Sequence, residues 1–192
     1  AKRAIEAGAR HATHFYNVFY PPPERDGGVR PCGIVEAVLA DPRVSIDFIL
    51  DGEHVEPVAL EMGLEVKGPD RVCLITDANL GAGFPPGRYK GLGGSEIEFA
   101  YEGAPARMRE GSASPGGLAG SGLTLDRAVR NARDFIGVDI PTAIRMVSKN
   151  PAKVLGIDDR FGEIAEGYEA DLVLLDDELR VLKTWKAGRL LY

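Results

Sequence analysis

Histidine, asparagine and aspartate side chains recur where predicted strands end. The first of three apolar runs is followed by His14 and Asn17, the second by Asp51 and His54, and the third by Asp77. Imidazole nitrogens and carboxylate oxygens suit a divalent cation such as Zn²⁺, and a nearby carboxylate can take a proton from water and deliver it to a leaving group. These residue types at successive strand ends predict a metal-dependent hydrolytic site.

Each candidate also has a structural interpretation. Asp77 could cap the next turn, His54 could end the turn that begins at Asp51, and Asn17 could hold a loop through its own backbone. Arg30, in the loop that follows the first run, could be a surface charge. Taken singly, the structural interpretation is favoured for Asp77, Asn17 and Arg30 and is open for His54. Taken together, at matching strand ends, the residues favour an active site.

Two histidines, His11 and His14, fall in one predicted strand over residues 11–16. Side chains alternate along a strand, so the two rings point to opposite faces and cannot both bind one ion. One of them is therefore structural, and His14 is the better ligand because it lies nearer the carboxyl end. Catalytic zinc usually keeps three protein ligands, so at least one ligand is expected outside this sequence.

Strand and helix patterns alternate up to Asp77. The predicted order is a helix at 2–10, a strand at 11–16, a helix at 34–39, a strand at 44–50, a helix at 57–66 and a strand at 71–76. Such alternation predicts an α/β fold with a parallel sheet and right-handed crossovers. In an α/β barrel the active site lies at the carboxyl ends of the strands, which is where the candidate residues occur.

The second half of the chain has a different pattern of predicted secondary structure. Short alternating runs predict small antiparallel strands near 88–108, and residues 116–121 read as a flexible loop that leads into a helix at 124–136. The glycines and Ser121 of this loop could present backbone N–H groups to an anion or a carbonyl at the helix N-terminus, or could form an ordinary N-cap. Helices follow at 141–148 and 151–155, then strands at 170–175, 181–186 and 190–192. We predict two domains, 1–150 with a small β insertion near 88–108, and a β module at 151–192.

Length and charge restrict the class of protein. The 192 residues can form a domain with a real core, but a complete (β/α)8 barrel usually needs about 250, so we expect a fragment or a partly covered protein. The net charge of −6 has no basic cluster, which argues against nucleic-acid binding. No apolar run reaches the ~18 residues of a membrane span. Cys32 and Cys73 are not spaced as metal ligands, and we expect a reducing, cytoplasmic setting.

Several motifs resemble the C-terminal half of the N-acetylglucosamine-6-phosphate deacetylase family, within the amidohydrolase superfamily. They are THFYN at 13–17, RPCG at 30–33, DGEHV at 51–55, TDA at 76–78 and LAGS at 118–121. NPA at 150–152, GEI at 162–164 and ADLV at 170–173 resemble the ending of many amidohydrolases. The tail indicates only the superfamily, whereas THFYN together with DGEHV is more specific to the deacetylases.

The resemblance implies a fold and a set of roles. The fold is α/β, the C-terminal part of a (β/α)8 TIM-like barrel plus a small β-sandwich module. His14 is then a metal ligand, and Asp77 is the catalytic acid and base in hydrolysis of the N-acetyl group. His54 contacts the substrate and polarises the acetamide carbonyl. The other implied substrate-binding residues are Asn17, Val18, Arg30, Asp51, Gly52, Glu53, Leu118, Ala119 and Gly120.

The implied partners are a divalent metal ion and a small sugar phosphate. Zinc is the expected metal, with iron, manganese or cobalt as alternatives, and a homodimer is expected with no nucleic acid or membrane partner. The sequence departs from the family pattern at Val18, which replaces alanine, and at Glu53, where a small or apolar residue is commoner. A longer loop at 21–28 leaves both Arg25 and Arg30 as phosphate contacts, and the spacing to Gly33 favours Arg30.

Two other functions stay open at this point. One is an amidohydrolase that acts on a different amide or amine, and the other is a truncated, non-catalytic fragment that only associates with a partner. Because ligands are missing from the sequence, we expect the 192 residues to be inactive alone.

Overall fold

A three-stranded parallel sheet supports most of the hydrophobic core. The computed structural model describes residues 1–23 and 26–192. The strands β1 (His11–Ala12), β2 (Ser45–Ile49) and β3 (Val72–Ile75) pair in the order β1-β2-β3, with Ala12 beside Ile46 and Ile49 beside Ile75. The predicted parallel sheet and α/β class are therefore confirmed. The first strand is much shorter than the predicted 11–16, because the backbone turns after Ala12.

Six α-helices occur in the described residues. They are α1 (Lys2–Glu6), α2 (Ile34–Ala40), α3 (Pro57–Lys67), α4 (Leu125–Ile136), α5 (Ile140–Val147) and α6 (Lys149–Leu155). Proline at the first turn of α3 is favourable there, because its missing N–H would have no helical partner. None of the described helices is both long enough and apolar enough to cross a bilayer.

The core lies between one face of the parallel sheet and the helices. Side chains alternate along β2, so Ile46 and Phe48 pack into this core while Ser45 and Asp47 project from the opposite face. The buried apolar residues that join the two layers include Phe15, Leu60, Leu74, Val129 and Met146. Burying such side chains stabilises the fold by roughly 1.5–3 kcal/mol each, and it holds the three strand ends in a common frame.

A second sheet is antiparallel and follows β3 in the chain. Its strands are β4 (Gly87–Lys90), β5 (Glu96–Phe99), β6 (Pro105–Met108) and β7 (Leu118–Ser121), in the order β4-β5-β6-β7. The antiparallel strands predicted near 88–108 are confirmed. The flexible loop predicted at 116–121 is wrong, because Leu118–Ser121 pairs with β6 as the fourth strand.

A third sheet closes the chain. The strands β8 (Leu172–Leu175), β9 (Val181–Lys186) and β10 (Arg189–Leu190) form one antiparallel sheet in the order β10-β9-β8, as the three predicted strands require. The guanidinium of Arg130 on α4 donates to the carbonyl of Leu179, 2.6 Å away, and so ties the hairpin to the core. Helix α6 runs across the predicted boundary between residues 150 and 151, and the two-domain division stays a prediction.

Candidate functional site

Three turns at the carboxyl edge of the parallel sheet carry the candidate residues. His14, Asp51 and Asp77 each lie two residues beyond the last residue of β1, β2 and β3. His14 and Asp77 have left-handed backbones, with φ of 35° and 46°. A side chain in this region costs roughly 1–2 kcal/mol, so neighbouring contacts must hold these turns. Strained non-glycine residues of this kind cluster at functional sites.

The turn after β1 presents His14. Tyr16 and Val18 also have positive φ, 75° and 55°, and the N–H of Asn17 donates to the carbonyl of His14 at 2.9 Å. The expected alternation of His11 and His14 on one strand is therefore wrong, because His14 lies outside the strand. Nδ1 of the His14 ring is buried and has no hydrogen-bond partner among the described residues. An imidazole nitrogen left in this condition is a suitable ligand atom.

The ring of His11 is engaged on both sides. Its Nδ1 lies 2.8 Å from the hydroxyl of Ser45, and its Nε2 lies 2.8 Å from a carboxylate oxygen of Asp47. Both partners are on β2, next to His11 in the sheet. Of the two histidines, His11 is thus the structural one, and His14 keeps a nitrogen for a ligand.

The turn after β2 joins Asp51 to His54. One carboxylate oxygen of Asp51 accepts the backbone N–H groups of Glu53 and His54 at 2.9 and 3.0 Å, and the other lies 2.6 Å from Nδ1 of His54. Both side chains are only 2% exposed. Burial would raise the pKa of the Asp51 carboxyl, but the hydrogen bonds from His54 and Glu53 hold this pKa below its ordinary value. Because Nδ1 is committed to Asp51, Nε2 is the His54 nitrogen available to a ligand.

Helix α4 contacts the turn after β2 through Asn131 and Phe135. The side-chain amide of Asn131 donates to the carbonyl of Leu50 at 2.7 Å. Gly52 has φ +82°, and a Cβ there would lie 2.9 Å from the ring of Phe135. Glycine is therefore required at position 52 both for the backbone conformation and for the close approach of α4.

The turn after β3 is held by β7. The carbonyl of Asp77 accepts the N–H of Ser121 at 2.8 Å, and the carbonyl of Ser121 accepts the N–H of Asn79 at 3.0 Å. The Ser121 hydroxyl donates to the carbonyl of Thr76, and the Asn79 side chain donates to the carbonyl of Ala119 at 2.5 Å. These bonds fix the backbone at Asp77 while its own side chain stays exposed.

The expectation that Ser121 lies at a helix N-terminus is corrected by the same contacts. Helix α4 begins only at Leu125, with Thr124 as its N-cap residue, and the Ser121 N–H already bonds to Asp77. The LAGS segment at 118–121 thus acts on the Asp77 turn through a strand pairing. Gly120 has φ +76°, and a Cβ on it would lie 2.5 Å from the carbonyl oxygen of Asp77.

Glu53 connects the turn after β2 to the antiparallel sheet. Its carboxylate lies 3.0 Å from the guanidinium of Arg107 on β6 and accepts a hydrogen bond from the hydroxyl of Tyr101. That hydrogen bond, together with burial and the Glu53 charge, raises the pKa of the Tyr101 hydroxyl. The charge that departs from the family pattern is therefore paired within the chain.

The remaining candidates are less closely assembled. The side chain of Arg30 is 85% exposed, and its guanidinium lies 3.4 Å from Glu36 on α2. Val18 is largely exposed. Within the described part of the chain no hydrogen bond or ion pair joins Arg30 to the three turns. Arg25, the alternative phosphate contact, lies outside the described residues.

Sequence reasoning missed three residues that hold these turns. Asp47 bonds to the segment that carries His14, and Asn79 and Ser121 bond the Asp77 turn to β7. Asp47 had a detectable signal, since it is the one charged residue in the apolar run at 44–50. The bonds of Asn79 and Ser121 join segments 40 or more residues apart, and no local sequence pattern predicts them.

The residues present fit part of a metal site. His14 supplies a buried imidazole whose Nδ1 has no partner among the described residues, and imidazole is a common ligand of transition metals. Residues 1–23 and 26–192 contain no group of three or more histidine, cysteine, aspartate or glutamate side chains placed to hold a cation. His14 is thus the residue of this chain that fits the role of ligand.

Known proteins resemble the chain over nearly its whole length. Residues 71–191 match the amidohydrolase family. The N-acetylglucosamine-6-phosphate deacetylase of Lysinibacillus sphaericus is 38% identical over 189 residues, 98% of this chain and 45% of that protein. A putative N-acetylgalactosamine-6-phosphate deacetylase of Escherichia coli K12 is 40% identical over 161 residues, 84% of this chain and 91% of that protein.

A solved structure agrees with the sequence matches. The crystal structure of N-acetylglucosamine-6-phosphate deacetylase from Pasteurella multocida superimposes with a TM-score of 0.84 at 31% identity, covering 98% of this chain and 46% of that one. The chain spans about half the length of most of the curated relatives it matches.

Replacing Gly120 by alanine should loosen the Asp77 turn. Gly116→Ala is the matched control, because Gly116 has the same φ of +76° but a Cβ there would meet nothing within 4 Å. Both variants carry the left-handed backbone cost, so the difference isolates the contact with Asp77. We expect Gly120→Ala to lower the free energy of unfolding, measured in urea, by about 1–3 kcal/mol more than Gly116→Ala. Equal losses of unfolding free energy in the two variants would show that a Cβ at position 120 does not disturb the Asp77 carbonyl.

Asp51→Asn should destabilise the protein in a pH-dependent way. The pKa of Asp51 is below its ordinary value of 3.8 in the folded state, so its carboxylate stabilises the fold above that pH. This contribution is lost as the pH falls below 3.8 and through the lowered pKa. The wild type should therefore be more stable than Asp51→Asn at pH 7, and the difference should shrink below about pH 4. Urea unfolding across this range, with exposed Asp159→Asn as control, measures the effect, and a pH-independent difference would contradict it.

Proposed function

The chain belongs to the amidohydrolase family, and we propose that the whole protein hydrolyses the N-acetyl group of N-acetylglucosamine 6-phosphate to give glucosamine 6-phosphate and acetate. One observation carries the proposal. An exposed carboxylate, Asp77, stands on a rigidly held turn at the strand edge that also presents His14 and His54. The similarity to N-acetylglucosamine-6-phosphate deacetylases of L. sphaericus and P. multocida supports the same substrate class.

His14 is the residue of this chain that would hold a divalent metal ion. Its buried Nδ1 without a partner among the described residues supports this role, and the remaining ligands would come from outside the described residues. A bound cation would polarise the amide carbonyl and lower the pKa of a coordinated water to about 7. Zinc suits an imidazole-containing donor set, with iron, manganese and cobalt as alternatives.

Asp77 would move the proton that the hydrolysis requires. As a base it takes a proton from the attacking water, whose oxygen forms a bond to the acetyl carbon. As an acid it then gives that proton to the amide nitrogen, so that the C–N bond breaks and a neutral amine leaves. A carboxylate is suited to both steps because the same oxygen accepts and returns one proton. The bonds from β7 would hold the Asp77 backbone, from which this carboxylate projects, at a constant position through both steps.

His54 would orient and polarise the acetamide group. With Nδ1 bonded to Asp51, Nε2 is the ring nitrogen that would bond to the acetamide oxygen. The two backbone bonds to Asp51 fix the carboxylate, and the carboxylate fixes the ring. Such pre-arranged donors stabilise developing negative charge without reorganisation. Asp51, Gly52 and Glu53 would thus serve the substrate mainly by shaping the turn that holds His54.

The sugar phosphate would lie across the turns after β1 and β3. Asn17 and Val18 would contact it from one side, and Leu118, Ala119 and Gly120 from the other. Arg30 would bind the phosphate, since a guanidinium binds phosphate oxygens in pairs and the Arg30 side chain is exposed and only loosely paired with Glu36. Among residues 1–23 and 26–192 Arg30 bonds only to Glu36, at 3.4 Å, and this bond is weak enough for a phosphate to displace.

The same proposal extends to the whole protein. The parallel sheet would form part of a (β/α)8 TIM-like barrel over residues 1–150, and residues 151–192 would supply one sheet of a small β-sandwich. Exposed apolar side chains on β8 and β9, with Val173 and Leu174 on opposite faces of β8 and Leu182 on β9, support packing of a second sheet against this one. A cytoplasmic homodimer would complete this description.

A second substrate is the 4-epimer, N-acetylgalactosamine 6-phosphate. The specific observation in its favour is the name of the E. coli relative, which matches this chain at 40% identity and is covered over 91% of its length. The chemistry at Asp77 and His54 would be identical for both sugars. Acetate release measured in parallel on the two sugar phosphates separates them, as the preferred substrate will have the larger kcat/KM.

Asp77→Asn should abolish turnover and spare binding. Asparagine has the same shape but cannot take a proton, so kcat should fall by about 10²–10⁴-fold while KM stays within a few-fold. The measurement is acetate release by the protein expressed from the complete gene, loaded in turn with zinc, iron, manganese and cobalt. Asp70→Asn, at the other end of β3, is the matched control and should retain activity. Retained turnover in Asp77→Asn would refute the acid–base role, and no acetate release by any metal-loaded wild type would refute the function.

A further inference from the structure

Asp47 is a buried carboxylate inside an apolar strand. It lies in β2 between Ile46 and Phe48, and only 3% of its surface is exposed. A carboxylate in such a place is strongly unfavourable unless hydrogen bonds replace its water. Its partners should therefore reveal what the residue is for.

Within the described residues, the donors that bond to Asp47 oxygens belong to residues 11–15. One carboxylate oxygen accepts from Nε2 of His11 at 2.8 Å and from the hydroxyl of Thr13 at 3.0 Å. The other accepts the backbone N–H of His14. The backbone carbonyl of Asp47 accepts the N–H of Phe15 at 2.9 Å. The side chain and the main chain of one residue thus hold the segment on both sides of His14.

These bonds begin where the sheet stops. The last pair in the β1–β2 ladder is Ala12 with Ile46, and Asp47 is the next residue along β2. The N–H of His14 therefore bonds to the Asp47 carboxylate instead of continuing the β1–β2 ladder. The chain bends away from the strand at this point. This bend has the left-handed backbone of His14, φ 35°, which a histidine does not adopt without support.

The ring of His14 depends on this backbone for its position. Its Nδ1 has no hydrogen-bond partner in the part of the chain that the structure describes, so no such bond at Nδ1 orients the imidazole. The ring lies 6.4 Å from that of Phe19, in a tilted contact that supplies no hydrogen bond to orient it. The direction of Cα–Cβ, which the turn sets, therefore decides where the ring nitrogens point.

We propose that Asp47 is a positioning residue that fixes the His14 turn and thereby sets the affinity for the metal ion. The inference rests on the proposed function in one respect, that His14 is a ligand. Asp47 acts through the main chain of His14, and the bond from Nε2 of His11 to the Asp47 carboxylate helps to hold that carboxylate in place. Second-layer contacts of metal ligands typically change affinity by about 10–100-fold when removed.

The test measures zinc affinity separately from activity. In the protein expressed from the complete gene, Asp47→Asn keeps the size of the side chain but cannot accept from both His11 and Thr13 as well as His14. The dissociation constant for Zn²⁺, measured by competition with a chromogenic chelator, should rise by about 10–100-fold. The absorption spectrum of the Co²⁺-loaded variant should also shift, because the imidazole is no longer held at its angle.

Two controls separate positioning from folding. Ser45→Ala removes a partner of His11 and leaves the bond from Asp47 to His14, so its zinc affinity should stay within about threefold of the wild type. Thr13→Val removes one donor to the same carboxylate and should weaken zinc binding at least about threefold. Circular dichroism establishes whether each variant is folded. If Asp47→Asn is unfolded, the zinc affinity of Thr13→Val becomes the test of the positioning role.

The outcomes distinguish this inference from the proposed function. If Asp47→Asn is folded and binds Zn²⁺ like the wild type while His14→Ala loses the metal, the positioning role is overturned and the ligand role of His14 stands. If Asp47→Asn is unfolded and Thr13→Val binds Zn²⁺ unchanged, the positioning role is likewise overturned. If His14→Ala binds Zn²⁺ as the wild type does, the ligand role fails, and the role of Asp47 in metal binding fails with it.

Discussion

The parallel pairing of β1, β2 and β3 is the constraint on which the site depends. Parallel strands that start in register also end together, so the turns after them emerge at one edge. The register places the carboxyl ends of β2 and β3 side by side at Ile49 and Ile75, and β1 ends beside Ile46. The turns that follow these strands, from three distant stretches of sequence, thereby leave the sheet at one edge. The buried face of the sheet, packed on α3, α4 and α5, makes that edge rigid.

Each turn at this edge uses a different source of hydrogen bonds. Asp51 holds its own turn through the next three residues, which is a local solution. The turn at His14 depends on Asp47 from the adjacent strand, and the turn at Asp77 depends on Ser121 from another sheet. In all three turns, backbone groups are hydrogen-bonded to other residues of the protein. Nδ1 of His14, Nε2 of His54 and the carboxylate of Asp77 are left as the groups that could bind a ligand. That division of roles suits a site in which fixed groups must meet a mobile substrate.

The antiparallel sheet is coupled to the site at two points. Strand β7 pairs with the Asp77 turn, and the Glu53 carboxylate meets Arg107 on β6 and Tyr101 beyond β5. The paired carboxylate gives the sheet a second hold on the DGEHV turn, which the commoner small or apolar residues would not provide. The candidate site therefore involves two sheets: the parallel sheet positions its three turns, and the antiparallel sheet contacts two of them.

Much of this organisation was predictable from the sequence, and the reason is that it is local. Apolar runs, helix starts such as Pro57 and the motif DGEHV report on residues close in the chain, so the parallel sheet, the antiparallel insertion and the candidates Asp77 and His54 followed from them. The tertiary structure alone decided how far β1 extends, that LAGS is a strand, and which residues hold the turns. Those outcomes depend on hydrogen bonds such as that from His14 to Asp47 and that from Ser121 to Asp77, which join segments 33 and 44 residues apart. A bond over such a separation depends on how whole elements pack, and no pattern within either segment records it.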